Sequence, residues 1–134
     1  MLWASAGVVF FTLLVQLTGT ARGENPSSEI SGKNDLYWNK LTTSYPRYEE
    51  TTNILRDFES QFPHLAKVYS VGKSVQGKEM WVIQLAQNVS VERPLLRPMM
   101  KIVANMHGDE TLGRQLTLLL SSYILKEYQN NNTR

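Results

Sequence analysis

The residues with the most chemical potential are crowded into "NMHGDETLGRQ", residues 105–115, where His107, Asp109 and Glu110 follow an apolar run and precede a helix-like one. An imidazole nitrogen and a carboxylate oxygen three residues apart are donors that a first-row metal such as zinc takes, and one turn of chain brings them close enough to share an ion. The same residues also suit a helix start. Asp109 has the chemistry of an N-cap, Glu110 that of an acid in the positive first turn, and Arg114 that of an i, i+4 partner for Glu110. Gly108 offers a sharp turn between strand and helix. H-x-x-E alone carries little information, so the spacing leaves both readings open. The other histidine, His64, follows Pro63 at a helix end and reads as a surface or capping residue.

Composition narrows the chemistry further. The chain has no cysteine, which excludes a thiolate metal site and a disulfide framework and leaves His, Asp and Glu as the strong metal ligands. Its net charge is +2, with Lys and Arg scattered singly rather than gathered in a basic tract. No nucleic-acid or anionic-membrane partner is expected. A length of 134 residues suits one small domain or a piece of a larger one.

The elements that position the cluster follow from periodicity. Between Pro46 and Pro63, Ile54, Leu55, Phe58 and Phe62 recur at helical spacing behind the acids Glu49 and Glu50, predicting a helix over about 47–61. "KVYSVG" and "EMWVIQLA" are β-branched and aromatic runs separated by "KSVQGK", which predicts a hairpin turning near Gly72 and Gly77. Residues 91–98 carry two prolines and read as a loop. "MMKIVANM", 99–106, reads as a strand buried on both faces. From Thr111 to Tyr128, a stripe of Leu112, Leu116, Leu119, Leu120, Tyr123 and Ile124 predicts a second helix. Helix, two strands, buried strand and helix in that order imply an α/β fold. The cluster then sits at the carboxyl end of a strand, the edge at which open α/β sheets place ligands.

The N-terminus speaks to compartment. "GVVFFTLLVQL", residues 7–17, is apolar apart from Thr12 and Gln16 and is too short to span a bilayer; small residues follow at Ala21 and Gly23. This predicts a secretory signal over residues 1–23, cut after Gly23, although no Lys or Arg precedes the apolar run. A signal anchor or a buried helix is the alternative. The mature chain is expected to enter the secretory pathway, to reach the extracellular space and to carry no membrane span. Two sequons, at Asn88 and Asn131, are candidate glycan acceptors. Residues 24–35 read as a flexible polar lead-in and 36–134 as the domain.

The run "VYSVGKSVQGKEMWVIQLA", the proline-bearing loop and "KIVANMHGDETLGRQLTLLLSSYILKEY" resemble the start of the catalytic domain of the regulatory (N/E) zinc metallocarboxypeptidases, and within that subgroup the D and M types. The resemblance covers about residues 36–128. It implies the N-terminal part of a mixed α/β sheet flanked by helices, one zinc ion with His107 and Glu110 as its first two ligands, and removal of basic residues from peptide and protein C-termini. The third ligand, a histidine, lies well downstream in that family, as do the general-base glutamate and the carboxylate-binding asparagine and arginine. Nothing in residues 1–134 matches them, so the chain is expected to be a truncated, catalytically incomplete N-terminal portion. A secreted non-catalytic product, acting as a binding module or without function, is the alternative.

Overall fold

The computed structural model describes residues 11–15, 39, 41–90 and 95–132. The elements in chain order are β1 (Phe11–Val15), α1 (Tyr48–Gln61), β2 (Ala66–Lys73), β3 (Glu79–Leu85), β4 (Met100–Ala104) and α2 (Thr111–Asn132). The strands form one mixed sheet in the order β2-β3-β1-β4. β2 and β3 are antiparallel, β1 runs parallel to β3, and β4 runs antiparallel to β1. The architecture is α/β, as the element order implies. The predicted cleavage point after Gly23 and the lead-in 24–35 lie outside the described residues.

Local chemistry explains where α1 and the hairpin begin and end. The carboxylate of Glu50 accepts the backbone N–H of Arg47 at 2.9 Å, satisfying a donor at the start of α1. Pro63 follows its end. Between β2 and β3 the chain reverses over residues 74–78: Ser74 and Gly77 close the turn through backbone bonds, and Gly77 takes φ +74, a left-handed value that glycine adopts without steric cost. β2 also carries an irregularity between Ser70 and Lys73, where Gly72 has φ +139.

One apolar cluster unites the layers. It gathers Ile54, Leu55 and Phe58 of α1, Ala66 and Val68 of β2, Trp81, Ile83 and Leu85 of β3, and Leu118 and Leu125 of α2, with Leu41 beside them. β3 contributes only odd-numbered residues, which share one face of the strand, so both helices cover that face. Polar bonds fix the angle of α1 on the sheet: the Trp81 indole N–H donates to Thr52 Oγ1 at 2.9 Å, and the Val68 N–H donates to Glu59 Oε1 at 2.9 Å. Gln115 Nε2 donates to the carbonyl of Ser44 at 3.0 Å and ties α2 to the segment preceding α1.

One expectation is corrected. The run 99–106 forms a shorter strand, β4, in which only Ala104 is buried; Met100, Lys101 and Val103 are exposed. A strand buried on both faces needs a layer on each side, whereas β4 ends the described sheet and pairs with β1 alone. The stripe on α2 is in large part turned outward. Leu112, Leu116, Leu120 and Tyr123 are exposed, Leu119 and Ile124 are partly buried, and the face against the core carries Thr117, Leu118, Ser121 and Leu125.

Candidate metal centre

β4 delivers the chain to the site through an unusual backbone step. Asn105 has φ +58 and is buried, and asparagine is among the few non-glycine residues that enter this left-handed region at low cost. Its Nδ2 donates to the carbonyl of His107 at 2.7 Å, which holds the following turn against the strand end. Gly108, expected to supply the sharp turn, is not among the glycines with positive φ in the described residues. Asn105 does that work instead.

α2 then starts close to the strand it follows. A Cβ built at Gly113 would lie 3.4 Å from the Cβ of Ala104 and 3.6 Å from the backbone nitrogen of Asn105, so the helix passes β4 with room for a methyl group and little more. The helix begins at Thr111, which puts Glu110 rather than Asp109 in the preceding position. The expected Asp109 cap is therefore corrected, because the turn ends one residue later than a cap there requires.

His107 and Glu110 face each other across this turn. His107 Nδ1 lies 2.8 Å from Glu110 Oε1, the His107 backbone N–H donates to Glu110 Oε2 at 3.1 Å, and the Glu110 N–H returns to the His107 carbonyl at 3.1 Å. Both side chains are open to solvent, at 70% and 50% relative exposure. The hydrogen bond to Glu110 and its charge raise the imidazole pKa above the ordinary value, and the bonds from His107 lower that of the Glu110 carboxyl. The predicted Glu110–Arg114 pair does not form. Glu110 is engaged by His107, and Arg114 is half-buried with its Nε unpaired; desolvation pulls its pKa down.

Two donors aimed at one another suit a shared ion. A tetrahedral metal with bonds of about 2.0–2.2 Å holds two ligand atoms about 3.4 Å apart, so the 2.8 Å separation would open by about 0.6 Å. Among the described residues no group of three or more His, Cys, Asp or Glu could hold a metal, so this turn offers a pair of donors. His64, exposed beyond α1, is not part of it; its carbonyl accepts the N–H of Val89.

The zinc carboxypeptidase family pattern matches residues 39–134. This chain belongs to the zinc carboxypeptidase family. Among its relatives, the carboxypeptidase N catalytic chain of Homo sapiens is 36% identical over 94 residues, which are 70% of this chain and 20% of that protein. Carboxypeptidase D of Drosophila melanogaster is 39% identical over 92 residues, 67% of this chain and 6% of that protein. Carboxypeptidase Z of Homo sapiens is 33% identical over 91 residues, 68% and 14% respectively. The chain thus spans a fifth or less of the length of these relatives.

The turn has features that residue types alone did not reveal. Asn105 Oδ1, Arg114 Nε and Gln115 Oε1 are buried without a hydrogen-bond partner, and all three flank the turn that carries His107 and Glu110. Buried polar groups are normally paired. The available signal was the Asn at a strand end two residues before His107, a residue type suited to positive φ. No helix among the described residues is long and apolar enough to cross a membrane.

Proposed function

We propose that the chain is the N-terminal portion of a secretory-pathway zinc metallocarboxypeptidase that removes basic residues from the C-termini of peptides and proteins. His107 and Glu110 are two of the three protein ligands of one zinc ion, and these 134 residues are catalytically incomplete by themselves. The observation that carries the reading is the 2.8 Å approach of His107 Nδ1 to Glu110 Oε1 at an exposed strand-to-helix turn, in a chain of the zinc carboxypeptidase family. When bound, zinc acts as a Lewis acid and lowers the pKa of its water. The chain's own part is to hold the two donor atoms in register through Asn105 and the start of α2. The unpaired polar atoms beside the turn support incompleteness, because Arg114 and Gln115 have buried hydrogen-bonding capacity that the described residues do not use.

The test compares the purified chain with added zinc, a version extended by the downstream part of a carboxypeptidase D domain, and that extended version carrying His107→Ala. The extended version is expected to release a C-terminal Arg or Lys in a chelator-sensitive way, and the other two are expected to be inactive. Chelator-sensitive release by the 134-residue chain would overturn its incompleteness. Full activity of the extended His107→Ala version would overturn the assignment of His107.

Compartment is part of the same proposal. Secretion with loss of residues 1–23 is supported by the apolar run and the small residues Ala21 and Gly23; intact Met1 on protein from the medium overturns it. Asn88 is exposed in the turn after β3 with φ +55, an accessible place for a glycan, whereas Asn131 lies in the last turn of α2.

A further inference from the structure

Among the described residues β2 is an edge of the sheet, and the direction of its backbone groups can be read from the ladder. Val68 lies opposite Ile83 of β3, yet its N–H donates away from β3, to Glu59 Oε1 of α1 at 2.9 Å. Direction alternates from residue to residue in an antiparallel pair. Ala66, Val68 and Ser70 therefore turn their N–H and C=O groups outward, while Lys67 and Tyr69 turn theirs to β3. The Ala66 N–H is bonded to the carbonyl of Phe62 at 2.8 Å. Beyond Ser70 the regular edge stops at the irregularity between Ser70 and Lys73, where the Gly72 N–H folds back onto Ser70 Oγ at 3.1 Å. At the centre of this edge, a helix side chain covers the Val68 donor.

That side chain is held from behind. Glu59 Oε2 accepts from Arg56 Nη1 at 3.1 Å, and the Arg56 guanidinium lies 4.9 Å from the centre of the Trp81 ring. Trp81 is buried on β3, and its indole N–H is bonded to Thr52. The series Trp81, Arg56, Glu59 thus fixes the carboxylate over the strand edge, with one oxygen on Arg56 and the other on the main chain. Open strand edges are templates for further pairing, and folded proteins cover them. Glu59 Oε1 sits where the carbonyl oxygen of an added strand would have to go.

We propose that Glu59 is a latch closing the outer edge of β2, and that its release lets β2 pair antiparallel with β2 of a second copy of this chain. The register follows from the bond that stays. With the Ala66 N–H kept on Phe62, Val68 and Ser70 offer the outward groups, so Val68 faces Ser70 of the second copy and Ser70 faces its Val68. Tyr69 then lies opposite Tyr69 of the second copy, an aromatic cross-strand pair, and Lys67 lies opposite Val71 rather than another lysine. The pairing is self-complementary about a twofold axis and closes as a dimer.

The experiment uses the whole 134-residue chain as wild type, Glu59→Gln, Glu59→Ala, and Glu59→Ala combined with Ser70→Pro, compared by sedimentation velocity over a range of concentrations. Gln keeps an amide oxygen for the Val68 N–H and is expected to behave as wild type. Ala removes the acceptor and is expected to strengthen dimer formation at least about fivefold, the factor that one ordinary hydrogen bond supplies. Proline at an edge position removes the Ser70 donor that the dimer needs, so the double variant is expected to return to the wild-type level. No increase in Glu59→Ala overturns the proposal, as does Glu59→Gln associating as strongly as Glu59→Ala. An increase that Ser70→Pro leaves intact also overturns it, because the contact then lies on another surface, such as the α2 stripe.

Should Glu59→Ala unfold the chain, amide exchange on the wild-type monomer decides. The latched Val68 N–H is expected to exchange at least about tenfold more slowly than the Ser70 N–H, which points outward from the same edge with no such side chain over it among the described residues. Equal exchange at the two amides overturns the latch.

Discussion

Asn105 and His107 are joined by a 2.7 Å hydrogen bond from the Asn105 side-chain amide to the His107 carbonyl, made while Asn105 holds φ +58. One residue thus supplies both the backbone reversal at the end of β4 and the clamp on the turn that carries the imidazole. Asn105→Ala loses the bond and places a Cβ-bearing residue of lower left-handed tolerance at this φ, for an expected destabilisation of about 1–2 kcal/mol. Asn105→Gly loses only the bond and gains chain entropy when unfolded, and its cost is expected to be smaller. Denaturation midpoints of the two variants check the order; Ala milder than Gly would refute the backbone argument.

The His107–Glu110 pair predicts a pH window. His107 has its pKa raised in the folded chain, so its contribution is fully present below its unfolded value of about 6.5 and disappears as pH rises through the folded value. Glu110 has its pKa lowered, so its contribution is present above about 4.5 and disappears as pH falls through the folded value. The ion pair is therefore strongest between about pH 4.5 and 6.5. NMR titration of the metal-free chain should show the His107 ring protonating above the ordinary imidazole range, and Glu110→Gln should bring it back down. An unmoved His107 titration in Glu110→Gln would contradict the pairing.

Legibility in the sequence followed the strength of local pattern. α1 and the β2–β3 hairpin could be read because their apolar periods of 3.6 and 2 agree with the breakers around them, Pro46, Pro63 and Gly77. β4 was placed but not its exposure, since an apolar run looks the same at a sheet's edge and in its middle. α2 was placed but its inner face was not assigned: Thr117 and Ser121 are polar yet buried, returning their hydroxyls to the carbonyls of Gly113 and Thr117, and they disguise the Leu118–Leu125 seam. At the site, spacing was enough to bring His107 and Glu110 together. The φ of Asn105 depends on how β4 meets α2, and no short pattern encodes that.

The two faces of α2 should respond oppositely to mutation. Leu118 is fully buried in the core cluster, and Leu118→Ala is expected to cost about 2–5 kcal/mol. Leu112→Gln and Leu116→Gln, at positions 56% and 54% exposed, should each change stability by no more than about 0.5 kcal/mol. They should instead reduce self-association, because together with Leu120 and Tyr123 these side chains form an exposed apolar stripe. Denaturation and light scattering separate the two effects. A large stability loss in Leu116→Gln would mean that this face is packed.

The proposed glycan acceptor at Asn88 is tested by mass. Its turn position after β3 leaves the side chain exposed, and modification there requires no rearrangement of the buried Val89 beside it. Expression in a secretory host is expected to give a mass decrease on glycosidase treatment that Ser90→Ala abolishes. A decrease that persists in Ser90→Ala would move the modification elsewhere.

Gly113 links helix packing to the site most directly. At 3.4 Å from the Ala104 Cβ, an added Cβ makes an ordinary contact, so Gly113→Ala is expected to be tolerated and to gain up to about 1 kcal/mol from helix propensity. Gly113→Val adds methyl groups where β4 and α2 already touch, and overpacking of this kind costs about 1–3 kcal/mol. Relief requires the start of α2 to move away from the strand end, carrying Glu110 away from His107, which is anchored by Asn105. The Val variant should therefore lose stability and also return the His107 titration toward the ordinary imidazole value, while the Ala variant retains the raised one. Stability loss in the Val variant with an unchanged His107 titration would show that the helix start and the imidazole are not mechanically coupled.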